Sequence, residues 1–206
     1  MRPRACRIAR LAGLSVPLVA WGACRAQSGN ASPAECAPAA SDLPAGSTAE
    51  GLAGEYQLRL VATSGMKAGS TSEGTLTLKP QPRELRYRIR PGGATDSAVV
   101  HPVYGTAEVD LKALDAVEVG TTTSGDPRQP GVLVIERHQR SGEAPRAEIV
   151  LRLGSEANRR DRQRVDGGYT ALRVRQIRPE GFSGTWASGI MREQAGGYFC
   201  AVREDG

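Results

Sequence analysis

The sequence predicts an all-β domain: an antiparallel meander of about eight to nine strands closed into a small barrel, with a two-sheet sandwich as the alternative. Three observations predict it. Apolar residues recur at every second position through most of the chain after Gly51. Clusters of Gly, Pro, Asp and Ser punctuate these runs at hairpin spacing. No segment carries a helical period with caps, although a short turn fits Leu111 to Val117.

Taken in order, EYQLRLVA sets Tyr56, Leu58 and Leu60 on one face and Glu55, Gln57 and Arg59 on the other. TLTLK sets Leu76 and Leu78 opposite Thr75, Thr77 and Lys79. RELRYRIRP alternates Leu85, Tyr87 and Ile89 with Arg86, Arg88 and Arg90, and AEVDLK alternates Val109 and Leu111 with Glu108, Asp110 and Lys112. Half-buried antiparallel strands produce this pattern. GVLVIE, and nearly so AEIVLRL, are apolar on both faces, as for strands covered on two sides. TALRVRQI, GFSGTWAS and YFCAVRE complete the set. The exposed faces carry Arg, Glu and Lys, which argues against an outer-membrane barrel with its apolar outer band.

Residues 1–26 read as an export signal. Arg2, Arg4, Arg7 and Arg10 precede an apolar run, Leu11 to Ala23, that is too short for a membrane span of about 20 residues. Two cuts compete: before Cys24, which would free that thiol for lipidation, or after Ala26. Either reading places the chain outside the cytoplasm, periplasmic or secreted, or membrane-anchored if Cys24 is acylated. Residues 27–50, rich in Ala, Ser, Pro and Gly, read as a flexible tether, and residues 51–206 as one barrel domain.

The full chain carries a net charge of +5, and Arg2, Arg4, Arg7, Arg10 and Arg25 supply all of it within the signal. The mature domain is then neutral overall, without the basic footprint that nucleic-acid binding needs. Cys6 leaves with the signal and Cys24 is lost or acylated. Cys36 and Cys200 remain as a pair in a disulfide-permissive compartment and are expected to be bonded.

The opening strand begins Gly54-Glu55-Tyr56, hairpins follow one another, and the last strand carries Arg203. In these respects residues 51–204 resemble a lipocalin or related calycin barrel. Such barrels often open with Gly-x-Trp and lay a basic side chain of the last strand across that ring. Tyr56 stands in place of the Trp, and no other family motif is present. The resemblance implies a barrel whose mouth holds an apolar small molecule; a barrel packed solid with Leu, Val and Ile fits the same residues.

No zinc-protease, Cys-x-x-Cys, phosphate-loop or nucleophile-elbow motif occurs. His101, beside Pro102, and His138, at a strand end, read as surface residues and make a poor metal set. No catalytic residue, cofactor or metal is expected. An inward carboxylate or a buried histidine would revive an enzymatic reading. The alternating Arg86, Arg88 and Arg90 read as a solvated face.

Connections in a meander alternate between the two ends of the sheet. The links 113–130, 154–168 and 189–197 therefore fall at one end, and they are the longest and most polar. That end gathers the candidate ligand-binding residues: Asp126, Arg128, Asn158, Arg159, Arg160, Asp161, and Trp186 as a stacking platform. The expected function is a non-enzymatic, monomeric, extracytoplasmic domain that binds a small apolar or amphipathic ligand there. Its membrane contact would be limited to an N-terminal lipid. A structural or interaction module of the cell envelope, with no ligand, is the alternative.

Overall fold

A computed structural model describes residues 36–37, 43–44, 46–88, 98–139, 146–155, 168–190 and 193–204. The ten strand segments are β1 (Gly54–Ser64), β2 (Thr71–Pro80), β3 (Tyr87–Arg88), β4 (Ala98–Val100), β5 (Val103–Val109), β6 (Val132–Gln139), β7 (Arg146–Leu153), β8 (Tyr169–Arg178), β9 (Gly181–Gly189) and β10 (Glu193–Arg203). Eight of them close an antiparallel ring in the order β1-β10-β9-β8-β7-β6-β5-β2. β4 continues along the edge of β6 beyond β5, and β3 pairs with β4 as an extra strand. The domain is the predicted closed barrel.

Register follows the alternation. Leu58 faces Ala201 and Leu60 faces Phe199 across β1–β10, while Leu76 faces Ala107 across β2–β5. One slip would turn each apolar set outward. The opposite face carries ion pairs: Arg59 with Glu73 at 3.6 Å, and Glu148 with both Arg137 at 3.0 Å and Arg173 at 3.2 Å. β6 is covered on two sides as predicted. Val132 and Val134 join the inner core, whereas Leu133 and Ile135 are buried outside it.

The RELRYRIRP run differs from its expected form. Arg83–Leu85 form a 3-10 turn, and only Tyr87–Arg88 pair as a strand; Ile89 and Arg90 lie outside the described residues. Pro80 and Pro82 remove two ladder donors around Gln81, so β2 must break there. The backbone hydrogen bonds Gln81 N to Pro102 O and His101 N to Arg86 O carry the pairing past the break. The run thus resumes the line of β2 and adds no barrel position. An even count of eight makes β1 and β10 antiparallel, which lets the ring close.

Gly197 shows why small residues recur in the last hairpin. It faces Trp186 on β9, and a Cβ there would lie 1.8 Å from Val61 O. The bare backbone lets the indole cross β10 and donate Nε1–H to Val61 O at 3.0 Å. Phe199 similarly faces Gly184.

Candidate functional site

β1, β5, β7 and β9 all run toward the same end, so the links 65–70, 110–131, 154–168 and 190–192 share it. This is the loop end expected from the sequence. A strap built from residues 111–122 crosses it. Asp110 Oδ1 accepts from Lys112 N at 3.0 Å and Ala113 N at 3.2 Å, which starts a 3-10 turn over Lys112–Leu114. Asp115 then adopts a left-handed φ of 57° and redirects the chain. Leu111, Leu114 and Ala116 point into the core and are buried.

Two buried hydroxyls latch the strap. Val117 N donates to Ser188 Oγ at 2.7 Å, and Thr170 Oγ1 donates to Val117 O at 2.6 Å. Their oxygens lie 2.8 Å apart, on facing residues of β8 and β9. Beyond the latch, Ser155 N donates to Thr121 O at 2.9 Å, and Ala107 N donates to Thr122 O at 2.8 Å. The strap therefore passes from β5 over β8 and β9 to β7 and returns to β5. Its peptide groups satisfy inward polar groups that would otherwise be costly to bury.

The other end is closed by the segment that leads into β1. Leu43, Ala49 and Leu52 are buried in the same core, although the first two fall within the stretch expected to be a tether. Ala49 N donates to Glu136 Oε2 at 2.6 Å. Tyr56 OH donates to Leu52 O at 3.0 Å and accepts from Arg203 Nη2 at 2.8 Å. The Arg203 guanidinium lies 5.1 Å from the centroid of the Tyr56 ring and also reaches Gly51 O and Ala53 O. A basic side chain of the last strand thus crosses the ring of the first. Burial raises the Tyr56 pKa above its usual value, and the charge and hydrogen bond of Arg203 oppose that rise. The phenol is neutral at neutral pH and serves as a structural donor.

Between the two caps lies one continuous apolar core. Tyr56 and Phe182 meet edge to face at 5.1 Å, and Phe182 and Phe199 at 6.0 Å. Leu60, Leu76, Leu151, Leu153, Leu172 and Phe199 are fully buried around them.

Of the predicted ligand residues, the structure describes Trp186, Asp126 and Arg128. Trp186 is buried inside the barrel with its indole N–H taken by Val61 O. Asp126 and Arg128 are exposed on a hairpin tip outside the wall, where Asp126 Oδ1 accepts from Arg128 N at 2.9 Å. Gln81, just beyond the lower end of β2, holds that tip through Nε2 to Pro127 O at 2.9 Å. The tip is drawn down the outer wall, away from the mouth. Asn158, Arg159, Arg160, Asp161 and Cys24 lie outside the described residues. The disulfide Cys36–Cys200 is present and closes a sequence separation of 164 residues.

Glu136 is an inward carboxylate, and its signal was its place two residues after inward Val134 in an otherwise apolar run. His101 is buried rather than at the surface, with Nδ1 3.3 Å from Val134 O. Each has a main-chain partner, at the lower cap and at the strand break respectively. Among the described residues no group of three or more His, Cys, Asp or Glu side chains is placed to hold a metal ion. Compared with protein-family models, curated proteins and solved structures, the chain matches none.

Proposed function

We propose that this chain is an exported domain of the cell envelope, built on a self-filled calycin-like barrel, that acts through its outer surface as an interaction module; inward Glu136 and buried His101, each held by the main chain, are read as closing the barrel rather than as catalytic groups. One observation carries the reading. A single apolar core runs from Leu43, Ala49 and Leu52 at one end, through the barrel strands, to Leu111, Leu114 and Ala116 of the strap at the other. Space at the two mouths where a barrel would take up an apolar guest is occupied by the chain's own side chains. The Cys36–Cys200 bond supports a compartment outside the cytoplasm, where disulfides persist.

The latch keeps a second reading in play. If the strap lifted, the Thr170 and Ser188 hydroxyls would line an amphipathic mouth above Trp186, suited to a small amphipathic ligand. Such a ligand has to displace buried Leu111 and Leu114, each a burial of about 1.5–3 kcal/mol. Thermal unfolding in the presence of a monomeric fatty acid separates the two. The filled barrel predicts an unchanged midpoint. A saturable rise in midpoint, which any ligand selective for the native state produces, would reinstate the ligand-binding reading.

A further inference from the structure

Residues 46–53 help to fill the lower mouth without joining the sheet: none of them is in a strand, and β1 begins after them at Gly54. Their hold on the barrel comes instead from side chains that read the segment as a bound peptide is read. Glu136 Oε2 accepts the Ala49 N–H at 2.6 Å, and Tyr56 OH donates to Leu52 O at 3.0 Å. Arg203 donates to Gly51 O and Ala53 O, each at 3.3 Å. Arg86 pairs with the Glu50 carboxylate at 3.3 Å, and the Ala49 and Leu52 side chains are buried in the core. Each of the four recognising side chains is positioned by barrel contacts that do not involve the segment. Tyr56 and Arg203 face each other across β1–β10 and are bonded at 2.8 Å. Arg86 Nε donates to Gln81 O at 2.8 Å, and Glu136 lies in the β6–β7 ladder opposite Ile149. The site is therefore preorganised for its occupant. The occupant is fastened on both sides. It continues directly into β1, and upstream the chain leads back to Cys36, bonded to Cys200 on the neighbouring strand β10. Both cysteines are half-buried on the outer wall, within reach of a small reductant.

From this arrangement we infer that the lower mouth is a peptide-binding site which residues 46–53 occupy in cis, and that the Cys36–Cys200 bond locks this autoinhibitory contact. With the bond closed, the stretch between Cys36 and Gly54 is pinned to two adjacent strands and cannot leave. A dithiol that reduces the bond is itself oxidised to a disulfide, and the protein gains two thiols and one free end. A peptide of the same chemistry then competes for the mouth. It presents a small residue with a free N–H, an acidic residue beside it and a leucine three positions on, as Ala49, Glu50 and Leu52 do. The N–H meets Glu136, the acid meets Arg86, and the carbonyls around the leucine meet Tyr56 and Arg203. The inference goes beyond the filled-barrel reading and leaves it intact for the oxidised chain.

The test uses the full chain with Cys6→Ser and Cys24→Ser, so that Cys36 and Cys200 are its only cysteines. Ala49→Pro is added to weaken the cis occupant, because proline lacks the N–H that Glu136 accepts. The probe is an acetylated peptide of residues 46–53 with a C-terminal fluorescein, followed by anisotropy. The reduced variant should bind it saturably. The oxidised variant should bind at least about tenfold more weakly, since its tethered competitor stays in place. A peptide carrying Leu52→Ser should also bind at least about tenfold more weakly than the natural one, because the leucine is the buried anchor. Saturating peptide should raise the thermal midpoint of the reduced variant, a second readout that holds if its barrel is marginally stable. No saturable binding, equal binding by the two redox forms, or equal binding of the Leu52→Ser peptide would each overturn the inference. So would a loss of β-sheet circular dichroism in the reduced variant that excess peptide does not restore, since the segment would then be a part of the core and not its occupant.

Discussion

Trp186→Ala lowers the unfolding free energy by about 3–5 kcal/mol, the cost of deleting a buried large aromatic from a closed core. Two terms combine. The indole fills the space over Gly197 between β9 and β1, and no Cβ of β10 can move in to replace it. Its loss also removes the hydrogen bond that the indole N–H donates to Val61 O at 3.0 Å. Trp186→Phe restores most of the volume but not the donor, so its cost should fall between wild type and alanine. Urea unfolding followed by far-ultraviolet circular dichroism measures both. An alanine variant within about 1 kcal/mol of wild type would mean that the indole is not a packing element of the core.

Removal of the Cys36–Cys200 bond by paired serine substitution is expected to cost about 2–5 kcal/mol. The bond spans 164 residues and so constrains nearly the whole unfolded barrel. Cys200 lies between inward Phe199 and Ala201, so the bond sits on the outer wall of β10 and perturbs no core packing when removed. It also fixes the start of the segment that delivers Leu43, Ala49 and Leu52 to the lower end. Exchange of the Ala49 amide, held on Glu136, should accelerate in the serine variant more than exchange in β9. A variant equal in stability to the oxidised wild type would show that the bond restrains the tether alone.

Much of the barrel was legible because a half-buried strand has a period of two. Tyr56, Leu58 and Leu60, or Leu76 and Leu78, declare their face directly. The RELRYRIRP stretch misleads because Arg–apolar alternation persists through a 3-10 turn. Pro80-Gln81-Pro82 carried the correcting signal, since two prolines cannot sit inside a paired strand. The shared end of the long connections followed from strand parity alone. What fills that end did not, because Leu114 and Ala116 follow no period and their burial depends on where β8 and β9 place Thr170 and Ser188. The lower cap was hidden for the same reason: Leu43 and Ala49 are scattered in a Pro- and Ala-rich stretch whose composition suggests a tether. Asp126 and Arg128 lie apart from buried Trp186 because the hairpin that bears them is tied to Gln81, a contact between distant loops.

Whether the barrel holds only its own side chains is decided most directly by native mass spectrometry of the disulfide-bonded protein, purified gently under oxidising conditions. The filled barrel predicts the bare chain mass less two hydrogens for the Cys36–Cys200 bond, unchanged after incubation with a monomeric fatty acid. A stoichiometric small molecule that leaves only on denaturation would contradict it, and would mean that the strap is a lid over an occupied mouth.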